Sequence, residues 1–424
     1  MVSLSDLSNI GFGGYRISAG SKEHYDALLY ALSLGCNLID TSSNYMNGES
    51  EKLIGQVLRE NPQYDSFVVT KAGYIQGNSL TALEKLNERG LAKDDLISLS
   101  EGFKYSIHPD FLHEQLELSC GRLQRRWIDG FLLHNPEHYF EQQDLEASQE
   151  DYYVRIKKAF EFLEEKVAEG KIRYYGISSN TFPLSISDAS TTNLHEVLSI
   201  AYKVSNDNHF SLIQFPFNLV ENEASRPLHG HISLIELAKA RNVVTFSNRP
   251  LNAKTSNGGL RIATYEDDIE QLNEEDHREV FHDSFESICC QLQKIGSGND
   301  AMKYVIIRYL NDNWTTIDNP EAVTRIFREH FFPFLYQIHR GQIPEQQMQL
   351  HLKLYEYALL YSKKSMTSKA VAFRKEMVEK GRIEEYDDRS LPVVACENYL
   401  NSGIDHVLVG MRNTKYVDSL KTLF

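Results

Sequence analysis

From Phe12 to Phe246 the chain alternates between short apolar runs with β-branched residues and longer stretches whose apolar positions recur at helical spacing. The short runs read as strands ending near Phe12, Asp40, Lys71, His134, Ser178, Phe215 and Phe246, and the pattern resumes after a long interruption with HVLVG at 406–410. Between them the amphipathic stretches cover 22–34, 49–60, 110–125, 151–169, 190–202, 231–241, 391–402 and 413–422. Within 151–169, Ile156, Phe160, Leu163 and Val167 fall at i, i+4, i+7 and i+11, which lays one apolar face on a sheet. Gly35 and Gly170 close two of these stretches, where a left-handed residue ends a helix before the next strand.

Eight strand-helix pairs predict an α/β chain folded as a closed (β/α)8 TIM barrel rather than an open doubly wound sheet. Each parallel strand needs a crossover helix, and the eighth strand can pair with the first. Such a barrel takes roughly 250 residues, so a chain of 424 residues carries a surplus. It falls mainly at 252–390, after the seventh strand, with a smaller part at 75–109 after the third. The larger surplus holds Leu350, Leu354, Tyr357 and Tyr361 at helical spacing and the aromatic run HFFPFLY at 330–336, too apolar for a disordered linker. The expected organisation is a single catalytic domain: strands one to seven with their helices at 1–251, a mostly helical insertion at 252–390, and a last helix, strand and helix at 391–424. Leaving from the carboxyl end of a strand, the insertion is expected on the active face, as a lid or a subunit contact.

Charge narrows the partners. Lys and Arg number 44 against 59 Asp and Glu, a formal charge of -15, and a broadly negative surface repels phosphate backbones. A nucleic-acid partner is therefore not expected, and only local basic spots remain for a phosphorylated ligand. The five cysteines, Cys36, Cys120, Cys289, Cys290 and Cys396, are scattered and in no metal or redox spacing. The amino-terminal stretch MVSLSDLSNIGFGGY lacks a signal-peptide pattern, and no window reaches the apolar length of a membrane helix. A cytoplasmic protein without a membrane partner is expected, while the sequence leaves the oligomeric state open.

Four polar residues stand at or just beyond the ends of different strands: Asp40, Tyr45, Lys71 and His134. Taken singly, Tyr45 reads as an exposed loop tyrosine and Asp40 as a cap or turn residue. In one barrel the ends of these strands converge on the same rim. A phenol beside a lysine ammonium loses its proton more readily, so Tyr45 is expected to act as a general acid or base with Lys71 lowering its pKa. Asp40 would hold Lys71 charged and oriented, and His134 would donate a hydrogen bond to a carbonyl oxygen gaining negative charge. None of these groups transfers a hydride, which points to a bound cofactor. The histidine pairs His229 with His231 and His134 with His138 lack a cysteine or carboxylate at ligand spacing, so no metal site is expected.

The segments GFGGY, LIDTSSNYMNGESEKLIG, FVVTKAGY, FLLHNPE, KIRYYGISSN, LIQFPFN, VVTFSNRPLNA and HVLVGMRNTKYV, in that order, resemble the aldo-keto reductase superfamily. The resemblance spans the barrel and skips 252–390. It implies a (β/α)8 barrel binding NADP, with NAD as the alternative, and no Rossmann GxGxxG follows a strand here either. It further implies that Tyr45 is the proton donor, Lys71 and Asp40 tune it, and His134 orients the carbonyl of a small-molecule carbonyl or alcohol substrate. For the cofactor it implies Ser178 and Gln214 at the carboxamide, with Ser179 or Asn180 completing the pair. Asn248, Arg249 and Leu251, with Phe246, surround the position of the ring-stacking aromatic. That aromatic normally precedes a Pro-Leu, whereas Asn248 and Arg249 precede Pro250-Leu251 here. Gly410, Met411, Arg412 and Asn413, with Tyr416 beyond them, match the loop that takes the adenosine phosphate. A guanidinium at Arg412 suits a 2′-phosphate, and Ser419-Leu420 stand where the family has Glu-Asn against adenine. The activity implied is reduction of an aldehyde or ketone, or the reverse oxidation. The alternative is a cofactor-binding regulatory or sensor protein of the same fold.

Overall fold

Strands that are apolar along their whole length need cover on both faces, and a barrel ringed by helices provides it. The computed structural model describes residues 2–77, 80, 96–141, 147–228, 232–256, 258–265, 269, 274–296 and 301–424. Its eight long-range strands are β1 (Ile10–Gly13), β2 (Leu38–Asp40), β3 (Phe67–Ala72), β4 (Ile128–His134), β5 (Ile172–Ser178), β6 (Phe210–Pro216), β7 (Val244–Asn248) and β8 (His406–Val409). All pair in parallel with their sequence neighbours, and β1 pairs with both β2 and β8, which closes the expected barrel. Every residue of β3 and of β4 is buried. Leu7, Leu38, Phe67, Val69, Leu132, Leu212, Phe246 and Leu408 pack together as one apolar cluster.

Except after the left-handed Gly48, the helices between the strands begin where a side chain accepts an orphan amide. They are α1 (Lys22–Ser33), α2 (Glu49–Glu60), α3 (Pro109–Leu123), α4 (Gln149–Ala168), α5 (Leu194–Val204) and α6 (Leu234–Ala240). Ser21 caps α1, Ser148 caps α4, and Ser233 forms a reciprocal capping box with Glu236 on α6. The helix expected from residue 190 starts only at Leu194, because the Asn193 side chain accepts the His195 amide at 2.9 Å and fixes the helix start there. Gly35 (φ 101°) and Gly170 (φ 70°) adopt the left-handed conformation expected of them.

One glycine fixes how two strands meet. The β5–β6 register shifts between Tyr175 and Gly176, and a Cβ at Gly176 would lie 1.8 Å from the Leu212 carbonyl oxygen. That neighbour is backbone and cannot swing aside. Gly176→Ala is therefore expected to destabilise the chain by about 1–3 kcal/mol through overpacking, read as a lowered urea midpoint. An unchanged midpoint would mean the strands do not approach as described.

Two compact units divide the chain: Met1–Thr255 with Pro392–Phe424, and Ser256–Leu391. The second is helical, with α7 (Glu274–Lys294), α8 (Val305–Asn313), α9 (Pro320–Ile326), α10 (Phe332–Ile338) and the long α11 (Glu345–Glu379). It has its own core, in which Ile288, Leu292, Ile307, Leu310, Phe327, Phe331, Leu335 and Leu354 are buried together. Between α9 and α10 a π turn spans Phe327–Phe331. Pro333 accounts for it: proline has no amide hydrogen and its ring crowds the carbonyl four residues back, so the chain widens there. The chain then returns through α12 (Leu391–Asn401), β8 and α13 (Thr414–Leu420). No helix among the described residues is long and apolar enough to cross a membrane.

Candidate active site

Parallel strands deliver their carboxyl ends to one rim, and that rim carries the polar cluster. The Lys71 side chain is wholly buried, and its ammonium donates to Asp40 Oδ1 at 2.6 Å and to the Thr41 carbonyl at 2.7 Å. Lys71 Nζ lies 5.0 Å from the centre of the Tyr45 ring, and the His134 ring stands edge-on to Tyr45 with centroids 6.0 Å apart. All four residues thus share one neighbourhood. Tyr45 reaches it from the sharp turn between β2 and α2, in which Met46 (φ 47°), Asn47 (φ 59°) and Gly48 (φ 89°) are successively left-handed. Two of these are not glycines, a backbone strain of about 1 kcal/mol or more apiece, of the kind found at functional turns.

Electrostatics run against one expectation. Lys71 was expected to lower the pKa of Tyr45, yet the phenol is pushed well above its ordinary value, first by burial and then by the Asp40 carboxylate and the neighbouring Tyr15 and Tyr74. The ammonium is committed to Asp40 and Thr41, and the negative charge beside it offsets its pull on the phenol. Burial likewise lowers the Lys71 pKa, which Asp40 supports against the loss. His134 is held well below its ordinary value by burial and by Lys71, so its imidazole is neutral. The Tyr45 hydroxyl has no hydrogen-bond partner among the described residues.

A second polar row adjoins the first. His134, Ser178 and Gln214 are register partners across β4, β5 and β6. Ser178 Oγ donates to Gln214 Oε1 at 3.0 Å, and Gln214 Nε2 donates to Asp40 Oδ1 at 2.8 Å. A carboxylate only accepts, so Asp40 fixes which end of the Gln214 amide faces it. Asn248 Nδ2 lies 3.5 Å from Gln214 Oε1, while its own Oδ1 is buried without a partner.

The remaining predicted residues are less uniform. Ser179 is buried with its hydroxyl against Thr192 (2.9 Å) and Thr181 (3.1 Å), and Asn180 is half-buried. Arg249, in a left-handed turn (φ 51°), pairs with Glu221 at 2.7 Å, and Leu251 is buried nearby in sequence. Gly410 and Arg412 are exposed, Met411 is buried, and Asn413 caps α13 by accepting the Tyr416 amide at 2.9 Å. Phe246 needs correction as a ring-stacking candidate. Its side chain is wholly buried in the cluster with Leu38, Phe67 and Leu408, beside His406, so no face is left for a ligand. His138 Nε2 hydrogen-bonds the Tyr74 hydroxyl at 2.8 Å, and His229 and His231 lie outside the described residues.

Three residues of the site were not singled out from sequence. Tyr74, three residues beyond Lys71, sets its ring edge-on to His134 at 4.7 Å and is held there by Asn135 and His138. Ser42, two residues beyond Asp40, contacts His134 Nδ1 at 3.0 Å. Glu137, in the HNPE stretch, is buried and accepts the Asn180 amide at 2.7 Å, with its other oxygen unpartnered. Their nearness along the chain to Lys71, Asp40 and His134 was the available signal.

Burial pushes the Glu137 carboxyl up to about 7 from 4.5. The folded state therefore holds this proton more tightly than the unfolded chain, so the stabilisation is present below the unfolded value and is lost as pH rises through the folded one. Glu137→Gln is expected to unfold later than the parent at alkaline pH and to flatten the loss, which is on the order of 3 kcal/mol. Urea titrations at acid and alkaline pH measure this, and parallel pH profiles for the two proteins would refute it.

The NADH-specific methylglyoxal reductase of Escherichia coli (strain K12) is 27% identical over 181 residues, 41% of this chain and 48% of that protein. The D-threo-aldose 1-dehydrogenase of a Pseudomonas species is 26% identical over 196 residues, 44% of this chain and 53% of that protein. The chain thus spans about half the length of the curated relatives it matches. Among solved structures, the glycerol dehydrogenase of Gluconobacter oxydans aligns over 99% of this chain and 86% of its own, at 17% identity and a TM-score of 0.49. The family model described as the aldo/keto reductase family matches residues 9–316, most of the sequence and all but the last strand of the barrel, and the chain belongs to that family.

Proposed function

We propose that this chain is an oxidoreductase that uses NADPH, or NADH, to reduce an aldehyde or ketone to an alcohol, or runs the reverse oxidation, with Tyr45 as general acid. The observation that carries the reading is the meeting of Tyr45 and His134 over a buried Lys71–Asp40 pair. A phenol kept protonated by its surroundings is a proton donor at neutral pH, which suits reduction. Neutral His134 would meet the carbonyl oxygen, and Lys71 supplies a fixed positive charge beside the proton being transferred. Together these residues bind and polarise the carbonyl and give its oxygen a proton.

Residues fit for a nicotinamide carboxamide are present: Ser178, Gln214 and the buried, unpartnered Asn248 Oδ1, an acceptor that an amide nitrogen would satisfy. Of the two alternatives next to Ser178, Ser179 has its hydroxyl engaged by Thr192, which favours Asn180. Arg249 and Leu251 are assigned to the same region, and Gly410, Met411, Arg412, Asn413 and Tyr416 to the adenosine phosphate. When bound, the dinucleotide supplies the hydride that none of these side chains can. Exposed Arg412 favours NADP, whereas the Escherichia coli relative is named as NADH-specific. Residues 252–390 are taken as an insertion into this single catalytic domain, which 1–251 and 391–424 complete.

The experiment is oxidation of NADPH and of NADH by the purified full chain with a panel of small aldehydes and ketones. Turnover supports the proposal. Tight cofactor binding with no turnover of any carbonyl would replace it with the sensor reading.

A further inference from the structure

The turn that carries Tyr45 contains two left-handed residues that are not glycines, Met46 and Asn47, and such a conformation persists only where neighbouring structure holds it. At its β2 end the backbone ties it to β3: the Thr41 amide donates to the Val69 carbonyl at 2.8 Å and the Ser43 amide to the Lys71 carbonyl at 3.0 Å. At its α2 end side chains take over. Ser50 Oγ donates to the Gly14 carbonyl at 2.7 Å, which ties the turn to the end of β1. Glu51, next to it, is wholly buried, and accepts the Thr70 hydroxyl on Oε1 at 2.6 Å and Arg122 Nε on Oε2 at 2.6 Å. Successive residues of a strand face opposite sides, so Thr70 turns to the helices while Lys71, next along β3, turns to the rim. Arg122, in the last turn of α3, also lies against the turn itself: a Cβ at Gly48 would meet its Cδ at 2.9 Å. One carboxylate thus joins the strand residue before Lys71 to the helix that follows Tyr45.

We propose that Thr70, Glu51 and Arg122 are positioning residues that set where Tyr45 stands relative to Lys71. The 5.0 Å between Lys71 Nζ and the centre of the Tyr45 ring depends on two attachments to β3, the backbone bonds before the turn and this buried carboxylate after it. Without the Thr70 hydroxyl, Glu51 Oε1 is left in the interior with no donor, and the carboxylate is released from β3 together with the first turn of α2. A displacement of about 1 Å between reacting groups costs about 10²-fold in rate. Ser178 and Gln214 stand on β5 and β6, so their geometry does not pass through this link. The catalytic meaning rests on the proposed reductase reading, but the placement of Tyr45 is a property of the protein alone.

Fluorine NMR of the full chain carrying fluorotyrosine reads that placement, with the Tyr45→Phe spectrum identifying the Tyr45 signal. Thr70→Val keeps the shape of the side chain and removes only the hydroxyl, while Arg122→Met removes the guanidinium. Each is expected to shift or broaden the Tyr45 signal and to lower kcat for carbonyl reduction about 10- to 100-fold. The Kd for NADPH should stay within about twofold of wild type, with every variant measured below its thermal transition. Thr70→Ser restores the donor and is expected to match wild type in both signal and kcat. A bridge that only holds α2 on β3 would lower the thermal midpoint and leave both readouts alone. A wild-type Tyr45 signal or a wild-type kcat in Thr70→Val therefore overturns the proposal, even where Arg122→Met fails to fold. In a protein that reduces no carbonyl, a displaced Tyr45 signal upholds the placement and dismisses the reductase reading, and an unmoved one dismisses both.

Discussion

Tyr45→Phe is expected to lower the rate of carbonyl-dependent NADPH oxidation by about 10²- to 10⁴-fold, the range that a positioned general acid contributes. Cofactor affinity and thermal stability should hold. The hydroxyl has no hydrogen-bond partner among the described residues, so its removal strands no buried polar group. The ring itself keeps its contacts with Tyr15, His134 and the Lys71 ammonium. A stable, cofactor-binding, inactive protein is thus the signature, because only the transferable proton has been deleted. Turnover within a few-fold of wild type would show that the proton comes from elsewhere and would remove Tyr45 from the mechanism.

Lys71→Met should cost more in stability than any other single change at the site. The ammonium is wholly buried, and losing it leaves the Asp40 carboxylate and the Thr41 carbonyl without their donor in a region closed to water. Breaking a buried pair from one side costs about 3–5 kcal/mol, because the partner's charge stays behind. Among the described residues the Asp40 carboxylate then keeps only the Gln214 amide hydrogen bond, which is too little to satisfy it. Replacing both members, Lys71→Met with Asp40→Leu, removes the stranded charge and should recover much of the loss while leaving the protein inactive. Urea unfolding of the two variants measures the difference. A loss below about 1 kcal/mol in the single variant would place the pair in the class of exposed ion pairs.

The sequence carried the barrel because its signals are local. Apolar runs of strand length, helical spacing such as Ile156, Phe160, Leu163 and Val167, and the closing glycines Gly35 and Gly170 each report on a few consecutive residues. The start of α5 was misplaced because the apolar positions begin only at Leu194, and Asn193, at the end of the polar run 190–193, caps the helix there. Around the surplus at 75–109 a three-stranded antiparallel sheet of Tyr74–Ile75, Ile97–Ser100 and Phe103–Tyr105 was not foreseen, since its strands are too short to show a period. It sets Phe103 and Tyr105 against Tyr74, the ring that stands edge-on to His134.

Residue types and order alone determined that eight strands alternate with helices, that a helical segment interrupts them, and that Asp40, Lys71 and His134 stand at strand ends with Tyr45 just beyond one of them. Tertiary structure decided what those groups do to one another. Desolvation outweighs the lysine's attraction at Tyr45, the pleat of β7 turns Phe246 into the interior, and barrel closure brings Ser42 against an imidazole 92 positions away. Periodicity is written in neighbouring residues, whereas burial and charge-charge distance exist only once the ring of strands has closed.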